Sequence, residues 1–94
     1  MQHELKIAPS YFQAVLDRDK NFEVRKDDRG FQKGDIVILR EYDHDEFMEH
    51  RRYTGRELTA IIGYVTAFEQ KDGYVVFSLL SVKETITQPP FSEE

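Results

Sequence analysis

From His3 to Ala8 polar and apolar side chains alternate, Leu5 and Ile7 against Glu4 and Lys6, which is the period of a strand with one face buried. Pro9 ends that pattern. The following PSYFQAVLDRDK (9–20) brings Tyr11 or Phe12, Val15 and Leu16 together at helical spacing, with Ser10 placed to cap the first turn. NFEVR (21–25) returns to a period of two, so Phe22 and Val24 are expected on the core face and Glu23 and Arg25 together on the other. The polar RKDDRGFQKGD predicts a turn, with Gly30 and Gly34 free to take positive φ and Asp27 or Asp28 bonding the backbone. IVILREY (36–42) is an apolar, β-branched run of strand length. YTGRELTAIIGYVTAF (53–68) predicts a long strand with a bulge or bend at Gly63, and Asp72-Gly73 a hairpin turn into the returning strand GYVVFSLLSVKE. The acidic DHDEFMEHRR (43–52) fits a loop or one or two helical turns, and TITQPPFSEE (85–94) reads as a loosely attached tail.

The expected order is β-α-β-β-β-β with mostly antiparallel neighbours, an α+β chain that is mostly β. Long strands bent at a glycine favour a small β-barrel with its one N-terminal helix plugging an end, because closure removes unpaired edges. A length of 94 residues with 39% hydrophobic content provides one core, so residues 1–84 are expected to form one domain followed by the tail 85–94. The absence of cysteine excludes disulfides and thiolate chemistry and fits a reducing compartment. With no signal-like N-terminus and no run near the roughly 20 apolar residues of a membrane span, a cytoplasmic protein is expected.

A formal net charge of −5 opposes nucleic-acid binding by bulk electrostatics and implies no DNA partner. It leaves room for a local patch, since Lys20, Arg25, Lys26, Arg29, Lys33 and Arg40 lie close together in the chain. Glu23 and Arg25, two apart on a strand, can read a base edge or ribose jointly, or form a same-face ion pair. Lys20 can face the helix dipole, or bind phosphate or abstract a proton. Lys26 and Arg29 suit phosphate contacts as well as a solvated turn. Tyr53 can stack on a base or pack, and Arg56 can pair with phosphate or with an acid of the 25–29 turn. Asp27 and Asp28 read as backbone caps. Glu46 and His50, four apart with His44 nearby, could share a helical face, but no rigid frame supports them, so neither a metal nor a cofactor is expected.

The frame HELKI, YFQAVL, K-x-x-E-x-R-K-x-D-R-x-F, GD-x-x-x-L-x-E-Y, YTGRE and DGYVV resembles the DUF3850 family of small bacterial and phage proteins, within the wider ASCH group of PUA-like β-barrels. Lys20, Glu23, Arg25 and Gly34-Asp35 look like the ASCH signature, and YTGRE (53–57) is the more family-specific part. The resemblance implies a PUA-like barrel whose cleft beside the helix binds RNA or a modified nucleobase, lined here by Lys20, Glu23, Arg25, Lys26, Arg29, Tyr53 and Arg56. The chain departs from the family pattern at Arg18, where glycine is usual and the turn is expected to differ in shape, and at Asp27, where a carboxylate replaces an amide. A second expectation comes from related amidohydrolases that deacetylate acetylcytidine, with Lys20 as base and Glu23 polarising water; the threonine nucleophile of those enzymes is replaced here by Glu23. A third is a protein-interaction module that uses the acidic loop.

Overall fold

In the computed structural model, which describes residues 1–43 and 52–86, six elements follow one another: β1 (Gln2–Ile7), α1 (Pro9–Leu16), β2 (Phe22–Lys26), β3 (Ile36–Asp43), β4 (Arg52–Thr66) and β5 (Tyr74–Ile86). The order is the expected one. His44, Glu46 and His50, the rest of the acidic segment between β3 and β4, and positions 87–94 of the tail lie outside the described residues. No described helix is long and apolar enough to cross a membrane.

All five strands belong to one sheet, ordered β1-β3-β4-β5-β2, which curls into a half-barrel. Three pairings are antiparallel, while β1 runs parallel to β3 from Gln2 opposite Ile36 to Ile7 opposite Glu41. Backbone pairing therefore stops at two edges, β1 and β2, and side chains span the remaining gap. Arg25 Nη2 on β2 donates to the carbonyl of Lys6 on β1 at 2.7 Å, and Arg29 Nη1 donates to that of Glu4 at 2.7 Å. Residues two apart on a strand direct their carbonyls to the same side, so the two guanidinium groups cap one free edge.

The inner face follows from the alternation. Leu5 and Ile7, then Val37 and Leu39, Leu58, Ala60 and Ile62, and Val75, Phe77 and Leu79 form one buried cluster with Phe31. Helix α1 packs against β3 and β5 and adds Phe12 and Val15, while Tyr11 stays exposed. The helix is four residues shorter than its sequence pattern. Asp17 caps its C-terminus and Arg18 then adopts φ +67°, a left-handed conformation that ends the helix as a glycine ordinarily would. The turn thus keeps a glycine-like shape in spite of the arginine. At the other end Pro9 occupies the first turn, the cap is Ala8 without a side-chain bond, and Ser10 lies inside the helix.

Three irregularities bend the long strands. Gly63 and Tyr64 together oppose Ser78, and the bulge amide of Tyr64 is satisfied by Ser78 Oγ at 2.8 Å. A Cβ at position 63 would sit 2.5 Å from that same oxygen, so only glycine fits. A second bulge sets Ser81 and Val82 opposite Ala60, with Ser81 at φ +54°. A third sets Thr54, Gly55 and Arg56 opposite the single residue Glu41. The β4–β5 connection is longer than a two-residue hairpin: β4 stops at Thr66, and Asp72-Gly73 closes a stretch that begins at residue 67. Asp27 caps its turn as expected, accepting from the amides of Gly30 (2.9 Å) and Phe31 (3.1 Å).

Beside the start of β1, His3 joins the buried face and its Nε2 lies 2.9 Å from Asp35 Oδ2. The Met1 ammonium donates to Asp35 Oδ1 at 3.1 Å and the Gln32 amide to Oδ2 at 3.1 Å. The His3 hydrogen bond does most to lower the Asp35 carboxyl from 3.8 to about 2; burial opposes it, and the ammonium and the amide reinforce it. A carboxyl depressed on folding stabilises the fold where it is ionised, and that contribution disappears as pH falls through the folded value. Stability should accordingly decline between pH 3.8 and about 2, and Asp35→Asn should be less stable at neutral pH with a shallower decline across this window. Urea unfolding followed by tyrosine fluorescence at stepped pH measures both; parallel curves for the two proteins would contradict the assignment.

Candidate functional site

Strand β2 carries its charges on the opposite face from the one its alternation suggests. Glu23 is only 3% exposed, whereas Phe22 and Val24 are 45% and 47% exposed. The cause is register: Glu23 lies opposite Phe77 and Arg25 opposite Val75, both buried residues of β5, so the acid and the arginine share the interior face. A carboxylate in such a place requires a partner on each oxygen. Glu23 Oε2 receives Lys20 Nζ, and Oε1 receives Arg25 Nε at 2.8 Å. Lys20 Nζ also donates to the Phe22 carbonyl at 2.8 Å and stands 5.0 Å and 5.5 Å from the ring centres of Phe22 and Tyr11. Its charge faces β2 rather than the end of α1.

Two adjoining hollows open along the seam between the edge strands. The larger, about 660 Å³, lies beside α1 and is bounded by Lys6, Lys20, Glu23, Arg25 and Lys26, with the rings of Tyr11, Phe22 and Tyr74 and the apolar Ile7, Ala8 and Val24. The smaller, about 360 Å³, is bounded by Glu4, Leu5, Lys6, Arg25, Arg29, Arg40 and Tyr53. Lys6 and Arg25 border both. Six of the chain's 13 Lys and Arg line these hollows against two of its 18 Asp and Glu, so the seam is basic on an acidic chain.

Of the seven residues singled out by sequence, Lys20, Glu23, Arg25 and Lys26 therefore border the larger hollow, and Arg25, Arg29 and Tyr53 the smaller. Arg56 borders neither. The three-residue bulge turns it toward Glu41 (3.9 Å), Glu84 (3.5 Å) and the Phe12 ring (4.7 Å to its centre), and none of these belongs to the 25–29 turn. Glu41 is itself buried and accepts from Thr54 Oγ1 at 2.6 Å, so the YTGR segment encloses a further interior carboxylate, in addition to Glu23 and Asp35. Tyr53 packs edge-on to Tyr42, with centres 5.0 Å apart, and carries the Arg40 guanidinium 3.9 Å above its ring.

The family model described as a domain of unknown function, DUF3850, matches residues 2–79. The chain belongs to this family. It is also 41% identical over 64 residues to an uncharacterized 12.9 kDa protein in the GpA 3' region of Escherichia phage P2. That match covers 68% of this chain and 53% of the phage protein, so it spans about half the length of that relative. The matched DUF3850 region contains every residue of both hollows.

Lys6, Tyr11, Phe22 and Tyr74 border the hollows of this DUF3850 chain without having been singled out from sequence, and Arg40, named there only as part of the basic cluster, borders the smaller one. Lys6 and Arg40 face one another across the β1–β3 pair, and Lys26 lies opposite Tyr74 across β2–β5, so strand register supplies them. One available signal was the charge of Lys6 on the polar half of β1, two residues from Glu4. Among the described residues no group of three or more His, Asp or Glu is arranged to hold a metal ion.

Glu23→Ala leaves Lys20 and Arg25 without their shared partner, and removing one member of a buried ion pair costs about 3–5 kcal/mol. Chemical denaturation should show a loss in that range, and Glu23→Gln, which keeps the shape and one acceptor, should lose less. A cost for Glu23→Ala below about 1 kcal/mol, the worth of an exposed pair, would show that the carboxylate is not needed where it lies.

Proposed function

We propose that this chain is an RNA-binding or modified-nucleotide-binding domain that takes its ligand in the larger hollow beside α1. The observation that carries this reading is the convergence there of Lys6, Lys20, Arg25 and Lys26 with three aromatic rings, Tyr11, Phe22 and Tyr74, around an apolar floor. Rings offer a face on which a base stacks, and flanking cations meet the sugar-phosphate backbone. A volume of about 660 Å³ accommodates a nucleotide-sized guest. Binding of this kind is local, which reconciles it with a net charge of −5.

The position of Glu23 favours binding over deacylation. Each of its oxygens accepts from a cation, so the carboxylate serves to orient Lys20 and Arg25. Lys20 in turn is held as an ammonium partner of that carboxylate, which suits contact with an anion better than removal of a proton.

Titration of short single-stranded RNAs and free modified nucleosides, at low and physiological salt, tests the reading. Tyr11 is exposed, so Tyr11→Ala should leave the fold intact and weaken binding by about tenfold, the worth of one stacked base. Lys26→Ala should reduce the salt dependence for RNA. If every ligand tested binds the wild type and both variants alike, or none binds at all, the proposal fails.

A further inference from the structure

The smaller hollow has a charge pattern that the larger one does not explain. Lys6, Arg25, Arg29 and Arg40 surround it, and Glu4 is the one carboxylate among its bordering residues. Resting on the nucleotide-binding reading above, we propose that this hollow holds the phosphate of a nucleotide whose base lies in the larger hollow, so that the ligand is phosphorylated and not a free nucleoside.

Three observations point that way. The two hollows share Lys6 and Arg25, so they adjoin. The cations are held in place before any ligand arrives: Arg25 and Arg29 are tethered to the carbonyls of Lys6 and Glu4, two residues apart and hence about 6.6 Å along the strand. A guanidinium has five N–H donors in a fixed fork, and these tethers leave donors over on both arginines. Arg40 sits 3.9 Å over the centre of the Tyr53 ring, and its buried Nε, 3.1 Å from Glu57 Oε2, makes no hydrogen bond among the described residues. Rigid arginines at such spacing match the tetrahedral oxygens of a phosphate better than they match a neutral sugar hydroxyl.

Glu4 supplies an internal control. Its side chain is 61% exposed and lies 3.7 Å from Arg40 Nη1, where it competes with an incoming anion without supporting the core. Removing its charge should strengthen phosphate binding. Arg29→Gln should weaken it.

Calorimetric titration of the full chain with the four ribonucleosides, their 5'-monophosphates and sodium phosphate alone reads the outcome. The expected result is a monophosphate that binds about tenfold or more tightly than its nucleoside, a gain worth one charge-assisted contact. Arg29→Gln should erase that gain and Glu4→Gln should enlarge it by about threefold, with nucleoside affinity unchanged in both. Should Arg29→Gln not fold by circular dichroism, the exposed Glu4→Gln decides by itself. Equal affinity of nucleoside and monophosphate, a gain that neither variant alters, or sodium phosphate binding as tightly as the nucleotide would each overturn the inference while leaving the larger hollow's role standing. Failure of every nucleoside, nucleotide and RNA to bind would overturn both.

Discussion

The need to neutralise one interior carboxylate organises the site. Glu23 is almost sealed from solvent between β2 and the hydrophobic residues of β5, where an unpartnered charge would cost several kcal/mol. Lys20 answers one oxygen from the turn after α1, and Arg25 answers the other from two residues further along β2. The same bond that neutralises Glu23 aims the Arg25 guanidinium, whose remaining donors reach across to the carbonyl of Lys6 on β1. Core electrostatics and the closing of the sheet are thus one arrangement, with a single acid at its root. Lys20 and Arg25 come to the larger hollow in the orientations that arrangement dictates.

The strands were legible in the sequence because alternation has one physical cause, the opposite faces of a pleated backbone. Which face turns inward is a separate question. On β2 the rule that charges face water fails, since Phe22 and Val24 lie outside and Glu23 and Arg25 inside. Local sequence holds no information about the pairing of Glu23 with Phe77, which is set fifty positions away. The clustering of charge at 20–29 was nevertheless the right place to look, because oppositely charged residues at close spacing are those able to satisfy each other in the interior. α1 gives a similar lesson: the polar DRDK after Leu16 reads as a last helical turn, but the left-handed Arg18 stops the helix and brings Lys20 round to face β2.

YTGRE carries its information in a form that pattern reading does not decode. Its middle residues are accommodated by a bulge against Glu41, so Arg56 turns from the seam to Glu41, Glu84 and Phe12, while Tyr53 remains at the smaller hollow. Alternation by itself would have placed Tyr53 and Gly55 on one face and Thr54 and Arg56 on the other. The meeting of Lys6 with Arg40 was hidden for the opposite reason. Each is an ordinary polar position of a regular strand, and only the parallel pairing of β1 with β3 sets them side by side.

The half-barrel is held across its gap by arginine side chains where elsewhere it is held by a ladder of backbone hydrogen bonds. A ladder fixes neighbouring strands about 4.8 Å apart and breaks if they separate. The two arginine bridges are each a single side-chain contact. The wall is therefore weakest along this one line, and β1 can part from β2 there with the five-stranded ladder left intact.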